Sequence, residues 1–303
     1  MRLRSRRALN AALAGLMAFP AVADPEGARF IGSFQWQMDD PAFGGFSAIE
    51  LAEDGTTFTV LSDRAVLTSG RITRHEGRIT GVTAGPLTRL RNREGRRMAG
   101  HVGDSEGLAI GPSGPMFVSF EGVDRVWAYE DPARALPLPR LAEWDGLEPN
   151  GGLEALAIDA DGALYTLPER SGQANQPFPL WRFRDGAWQQ VAEIPRRGGF
   201  LPVGADFDAE DRFYLLEREF TGIGFRSRVR RFGLDEAGIT GEEVLLESAL
   251  LEHDNLEGIA VWSPAPGHIR LTMISDDNFF PLQSTQIVEY DLTESLAEAA
   301  ARP

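Results

Sequence analysis

Glu106-Gly107-Leu108-Ala109-Ile110, Glu154-Ala155-Leu156-Ala157-Ile158 and Glu257-Gly258-Ile259-Ala260-Val261 are versions of one phrase, an acid followed by alternating small and apolar residues. The alternation is that of a strand with one face packed and the other crowded. Two weaker copies begin at Ser47 (Ser47-Ala48-Ile49-Glu50-Leu51) and Val203 (Val203-Gly204-Ala205-Asp206-Phe207), so the phrase recurs after 59, 48, 49 and 54 residues. A turn signal follows each copy: Asp54-Gly55, Ser113-Gly114, Asp161-Gly162, Glu210-Asp211 and Pro266-Gly267. A second strand comes next, such as Met116-Phe117-Val118-Ser119-Phe120, and then a third marked by an apolar residue and a ring three positions on. Those pairs are Ile72/His75, Val126/Tyr129, Leu180/Phe183, Val229/Phe232 and Ile287/Tyr290. A period near 50 with three or four short strands per unit predicts an all-β protein, a β-propeller with one blade per unit. Five copies predict five blades, and the weakly patterned stretch 77–103 leaves room for a sixth. The strand at 29–37 is expected to pair with the last blade and close the ring, which protects its edges.

The composition suits a protein with a core, 43% apolar and 25% charged over 303 residues. Cysteine is absent, which excludes disulfides, thiolate catalysis and cysteine-held metals. All 30 basic residues are arginine, so lysine Schiff bases and the lysine-bearing phosphate loop are excluded too. Residues 1–23 read as an export signal: Arg2, Arg4, Arg6 and Arg7, an apolar stretch at 11–22, and Ala21-Val22-Ala23 as the cleavage site. Ser5-Arg6-Arg7-Ala8-Leu9 is similar to a twin-arginine signal. The stretch is too short for a membrane span and holds Pro20, so a single domain at 24–303, periplasmic or secreted, is expected. Cleavage removes four arginines and no acid, taking the formal charge from −15 to −19. That sign argues against nucleic acid as a partner and for a cation or an anionic small molecule held in a locally basic pocket, with the protein a monomer.

In a propeller the first strand of each blade lines the channel and the second returns beside it. The start of the first and the end of the second therefore share a face. Glu106, Glu154 and Glu257 stand at first-strand starts; Asp63, Glu121, Glu169, Glu217 and the Asp276-Asp277 pair stand at second-strand ends. So many anions at one rim need positive charge between them. A hard cation such as Ca²⁺ takes carboxylate oxygens without cysteine or histidine, and Glu106, Glu154, Glu257 and Asp277 are its expected ligands. Arginine is the other source: Arg64, Arg170 and Arg218 each follow a rim acid and are expected to bind a substrate anion. A rim carboxylate, Glu169 or Glu217, is expected to accept the proton of an attacking water. Taken singly, each acid–arginine pair reads first as a structural ion pair between blades; the ring as a whole reads as a site. The loop at 89–97 holds five arginines, which suits either a solvated loop or steering of anions.

Other chemistries find no support. There is no Gly-x-Ser-x-Gly elbow, the four histidines are never paired at zinc-ligand spacing, and no glycine loop implies a nucleotide cofactor.

With the repeat laid out, the chain resembles the exported phytase-like family, described as having esterase-like activity of phytase. The residues that carry the resemblance are Leu215-Leu216-Glu217-Arg218-Glu219-Phe220 running into Ser227-Arg228-Val229-Arg230-Arg231, Asp254-Asn255-Leu256-Glu257-Gly258-Ile259-Ala260, and Ile274-Ser275-Asp276-Asp277-Asn278-Phe279 with Pro281-Leu282-Gln283. Phe46-Ser47-Ala48-Ile49 with Leu61-Ser62-Asp63-Arg64 resembles the family's opening, so the likeness spans about 30–292. It implies a β-propeller, export, and hydrolysis of phosphate esters with Ca²⁺. The calcium-dependent propeller phytases use a lysine-rich phosphate site, which a chain without lysine cannot reproduce, so no catalytic residue is carried over from them. The expected function is a metal-dependent phosphomonoesterase or esterase acting on an anionic ester. The alternatives are a non-catalytic binding propeller of the cell envelope and a sugar-lactone hydrolase.

Overall fold

The computed structural model describes residues 27–294 apart from Ala99, Pro112, Ser113 and Ala237. The export segment at 1–23 lies outside the described residues. A first strand, β1 (Arg29–Gln35), precedes five sheets, each built from strands consecutive in the chain. They are β2 (Phe46–Leu51), β3 (Thr57–Ser62), β4 (Val66–His75) and β5 (Arg78–Ala84) with a short β6 (Thr88–Arg89) added to β4; then β7 (Ser105–Ile110), β8 (Met116–Phe120), β9 (Arg125–Asp131) and β10 (Arg134–Pro137). The third comprises β11 (Leu153–Ile158), β12 (Leu164–Pro168), β13 (Phe178–Arg184) and β14 (Ala187–Ile194). The fourth comprises β15 (Leu201–Phe207), β16 (Phe213–Phe220), β17 (Phe225–Asp235) and β18 (Gly238–Glu247), and the fifth β19 (Asn255–Ala265), β20 (His268–Asp276) and β21 (Gln286–Thr293).

The fifth sheet takes its outer strand from the N-terminal side: β1 runs antiparallel to β21, with Phe34 opposite Ile287 and Arg29 opposite Asp291. The ring is thus a five-bladed propeller closed by pairing between its two ends. The 77–103 stretch forms no sixth blade. Its first part is the outer strand of blade 1, and the arginine-rich loop straps blade 1 to blade 2. The Leu90 N–H donates to the Ala65 carbonyl at 2.8 Å and the Arg91 N–H to the Pro132 carbonyl at 2.9 Å, while Leu90 and Met98 are buried. Among the described residues no helix is long and apolar enough to cross a membrane.

Each blade is apolar on both faces because both are covered. Five clusters of buried side chains result, and each draws on two neighbouring blades. Trp36, Phe46, Phe58 and Ile72 meet Ala260, Ile274 and Ile287 where the last blade joins the first. At about 1.5–3 kcal/mol for each large buried side chain, these interfaces hold the ring together. Near the axis the inner strands come closer still. A Cβ on Gly107 would lie 2.6 Å from the Leu156 Cβ, and one on Gly258 would lie 2.7 Å from the Ile49 nitrogen. The small residue after the acid in each phrase is therefore a requirement of the closed inner ring.

Candidate functional site: a carboxylate ring at the channel mouth

One irregularity repeats in all five blades. The pairing of first and second strands slips between Phe46 and Ala48, Ser105 and Leu108, Leu153 and Ala155, Pro202 and Gly204, and Leu256 and Gly258. The residues at these bulges are Ser47, Glu106 with Gly107, Glu154, Val203 and Glu257. A bulge re-aims a side chain out of the strand's alternation. Here it turns one residue per blade toward the channel, where Ser47 and Val203 line the axial void. Glu106, Glu154 and Glu257 are nearly covered by protein, 7–8% exposed, and act electrostatically on one another.

The second strands supply an outer ring. Phe46 lies opposite Ser62, Ser105 opposite Phe120, Leu153 opposite Pro168, Pro202 opposite Glu217 and Leu256 opposite Ser275. The next residue in each blade is therefore equivalent: Asp63, Glu121, Glu169, Arg218 and Asp276. Ten positions hold seven carboxylates and one guanidinium, with Asp104 beside them. One oxygen each from Asp104, Glu106 and Glu121 lies within 4.8 Å of the others.

Arg218 joins the two rings. Its Nη2 donates to Glu169 Oε1 at 2.9 Å, its Nη1 to Asn255 Oδ1 at 2.9 Å, and it pairs with Glu257. The Asn255 amide also donates to Glu257 Oε1 at 2.8 Å. Burial works against the Arg218 charge, but Glu257, Glu154 and Glu169 outweigh it and raise its pKa. The carboxyls are pushed the other way. Burial, then Glu257 and further acids, hold Glu106 well above the carboxylate range; burial, then Glu106 and Glu169, do the same to Glu154. Burial and Asp276 raise Asp63 to about 7, and burial raises Glu121 to about 7 against a Gly152 N–H bond. Asp276 is raised to about 8 by burial and Glu257.

Of the residues expected from sequence, the structure brings Glu106, Glu154, Glu257, Glu169 and Arg218 together. Two expectations are corrected. Glu217 lies one residue out of register with Glu169, so its side chain leaves the opposite face of the blade. There it is fully buried, accepting from Arg228 Nε at 2.7 Å and from Arg230 Nε and Nη2 at 2.8 and 2.6 Å. It is a structural anchor with no path to a substrate. Asp277 likewise turns away: its Oδ1 accepts the Gly45 and Phe279 N–H groups at 2.9 and 3.0 Å, and its Oδ2 accepts the Thr285 hydroxyl at 3.1 Å. Asp276 takes its place in the ring. Arg64 and Arg170 stand outside, half-exposed. Arg64 stacks 3.3 Å from the Phe279 ring centroid, and Arg170 Nε is 3.1 Å from Glu169 Oε2. Arg218 is engaged by carboxylates on both sides.

The donor set fits a hard divalent cation. All its atoms are oxygen, two of them buried without a hydrogen-bond partner: Ser47 Oγ and Asp63 Oδ1. A serine in a strand carries no signal in the sequence; the bulge gives Ser47 its direction.

No curated protein matches the chain. Similar solved structures include a protein of unknown function from Dyadobacter fermentans at 12% identity (82% of this chain, 76% of that one, TM-score 0.46). Others are a virginiamycin B lyase from Staphylococcus aureus at 14% (84% and 83%, TM-score 0.43) and a gluconolactonase from Xanthomonas campestris at 14% (77% and 68%, TM-score 0.41). The family described as phytase-like, with esterase-like activity of phytase, matches residues 41–279, the whole span that carries the ring from Ser47 to Asp276, and the chain belongs to it.

Proposed function

We propose that this protein is an exported, divalent-cation-dependent hydrolase of an anionic ester, a phosphomonoester above all, and that it works in the periplasm or outside the cell as a monomer. The observation that supports this best is the ring itself, seven carboxylates and one guanidinium in ten equivalent positions, with Ser47 Oγ and Asp63 Oδ1 buried there without a hydrogen-bond partner. Asp63, Asp104, Glu106 and Glu121 with Ser47 would hold the cation, Ca²⁺ by the hardness of the donors. When bound, the cation supplies Lewis-acid polarisation of an ester oxygen and a water made acidic enough to attack. Glu169, at the end of the second strand of blade 3 and held by Arg218 and Arg170, accepts the proton of the attacking water. Arg64 and Arg170, the half-exposed guanidiniums at the edge, take the substrate's anionic oxygens. Asp276, whose carboxyl burial and Glu257 hold above the carboxylate range, donates to the leaving alcohol as the ester bond breaks.

A sugar lactone is the second reading. It is favoured by the engagement of Arg218 with Glu169 and Glu257, which leaves only the two edge arginines for an anion. One panel decides: the mature protein is assayed on a phosphomonoester, a carboxylic ester and a lactone, with Ca²⁺ and with chelator. Phosphate release that needs Ca²⁺, and falls on the order of 100-fold in Asp276→Asn for an alkyl leaving group but little for nitrophenol, is expected. No calcium-dependent turnover of any member would leave a binding propeller.

A further inference from the structure

Five of the eleven large apolar side chains exposed among the described residues line a single cleft: Phe220 (62%), Ile223 (75%), Leu251 (64%), Phe280 (52%) and Leu282 (86%). They come from the end of β16 and from the β16–β17, β18–β19 and β20–β21 loops, which all emerge on the ring's face of the propeller, between blades 4 and 5. Exposed apolar surface gathered in this way marks a binding site more often than scattered side chains do. The cleft has a volume of about 850 Å³, within the usual range for small-molecule sites.

Its walls are preformed. Thr221 N–H and Oγ1 both donate to the Gly224 carbonyl at 3.0 Å, and the Leu251 N–H donates to Phe225 O at 3.1 Å. Phe220 and Phe225 pack with ring centroids 5.1 Å apart. Opposite them, a turn fixes Phe280 and Leu282: Phe280 N–H donates to Asp277 O at 2.7 Å and Gln283 N–H to Phe280 O at 2.9 Å. The polar groups of the floor are paired already. Asp254 accepts from Gln283 Nε2 at 3.0 Å and from the Ser284 N–H at 2.7 Å, and His253 Nε2 shares a proton with the Tyr290 hydroxyl at 2.7 Å. An apolar occupant would strand no buried donor there.

The cleft is continuous with the carboxylate ring. Asn278, on its edge, donates its N–H to Asp276 Oδ1 at 2.6 Å, and Phe225, in its wall, lies 5.9 Å from the Arg218 guanidinium. We infer that this cleft binds the apolar alkyl or aryl group of the ester whose anionic head lies at the ring, making the substrate an amphiphile. The inference rests on reading the ring as the hydrolytic site. A bilayer surface is a poorer occupant, because its anionic headgroups repel a chain of formal charge −15 without a single lysine.

The test uses methyl- and n-octylphosphonate, which cannot be hydrolysed as esters, titrated calorimetrically into the mature protein with Ca²⁺ present. A fully buried methylene is worth about fourfold in affinity, and in an open cleft about twofold, so the octyl compound is expected to bind on the order of 100-fold more tightly. Ile223→Ser with Leu282→Ser should abolish most of that gain without changing methylphosphonate binding. Both residues are solvent-exposed, so the melting temperature should stay put. Equal affinity for the two phosphonates overturns the inference, even if Ca²⁺-dependent ester hydrolysis is found. Chain-length-dependent binding without hydrolysis of any ester upholds the cleft and removes the hydrolase reading. Binding of phosphatidylglycerol vesicles that the double variant loses, with no preference for the octyl chain, makes the patch a lipid-docking surface and also overturns it.

Discussion

Arg218→Met takes away the only cation among the ten ring positions, and the structure sets the size of the effect. The guanidinium is 18% exposed and its partners Glu169 and Glu257 are 8% and 9% exposed, so both pairs are mostly shielded from water. Removing one partner of a buried pair costs about 3–5 kcal/mol, because the charge left behind stays uncompensated. For a domain of this size that is a fall of about 6–10 °C in melting temperature. The loss should depend on pH. Glu257 already sits above its unfolded pKa, chiefly through burial, and loses its strongest compensating charge in the variant. A carboxyl whose folded pKa is raised binds its proton more tightly in the folded state. Stability is therefore greatest at low pH and declines as pH rises through the folded value. Lower pH lets the variant protonate the stranded carboxyl, and higher pH makes that progressively harder, so the loss should be larger at pH 8 than at pH 5. Ca²⁺ should then rescue it. At a hundred times its dissociation constant a ligand adds about 2.7 kcal/mol, and a more negative ring binds the cation more tightly. The assay is differential scanning fluorimetry of wild type and variant at pH 5 and 8, with chelator or millimolar Ca²⁺. Identical melting at pH 8 in chelator would show that Arg218 compensates nothing and that the ring is already neutral by protonation. If Ca²⁺ shifts neither protein, the ring holds no cation.

Two further outcomes are expected. Glu217→Gln leaves Arg228 and Arg230 buried against an uncharged amide and should cost about 3 kcal/mol in urea unfolding, with the calcium-dependent shift unchanged. A lost calcium shift would put Glu217 back in the ring. At the far end of the channel Glu50 and Asp206 are both raised, each chiefly by burial, Glu50 additionally by Asp206 and Asp206 to about 7. Folding therefore favours their protonated forms, and stability in chelator should decline from about pH 4 through pH 7. Glu50→Gln should flatten part of that decline; an unchanged slope in Glu50→Gln and Asp206→Asn would locate it elsewhere.

The fold could be read from sequence because the closed inner ring constrains two things at once, a strand and a missing Cβ. The repeated acid, small residue and apolar residue of the phrase record both. The site could be read only as far as strand counting goes. Glu169-Arg170 and Glu217-Arg218 look equivalent as words, yet Leu153 pairs with Pro168 and Pro202 with Glu217, so Glu169 corresponds to Arg218. One residue of register exchanges the two faces of a blade, and nothing local to the dipeptide reports it. Asp276 and Asp277 differ for the same reason. The apolar cleft leaves no mark in the sequence because its side chains are spread over 220–225, 251 and 280–282, strand ends and loops with no shared periodicity.

Register also explains why the ring departs from fivefold symmetry where it does. Blade 4 breaks the pattern twice, with Val203 for the bulge glutamate and Arg218 for the second-strand acid. Its guanidinium reaches outward to both neighbours, Glu169 of blade 3 and Glu257 of blade 5. The opposite side of the mouth belongs to blades 1 and 2. That side holds Ser47 Oγ and Asp63 Oδ1, both buried without a hydrogen-bond partner, and the close group of Asp104, Glu106 and Glu121. A symmetric ring of acids would have no preferred place for a cation and none for an anion. Concentrating the positive charge in blade 4 leaves the negative charge in blades 1 and 2 free to take a cation, and gives the mouth a direction. The apolar cleft between blades 4 and 5 continues that direction, so the acids of blades 1 and 2, the guanidinium and the apolar wall fall in sequence across one face. An ester with a charged head and an apolar tail would meet these three groups in that order.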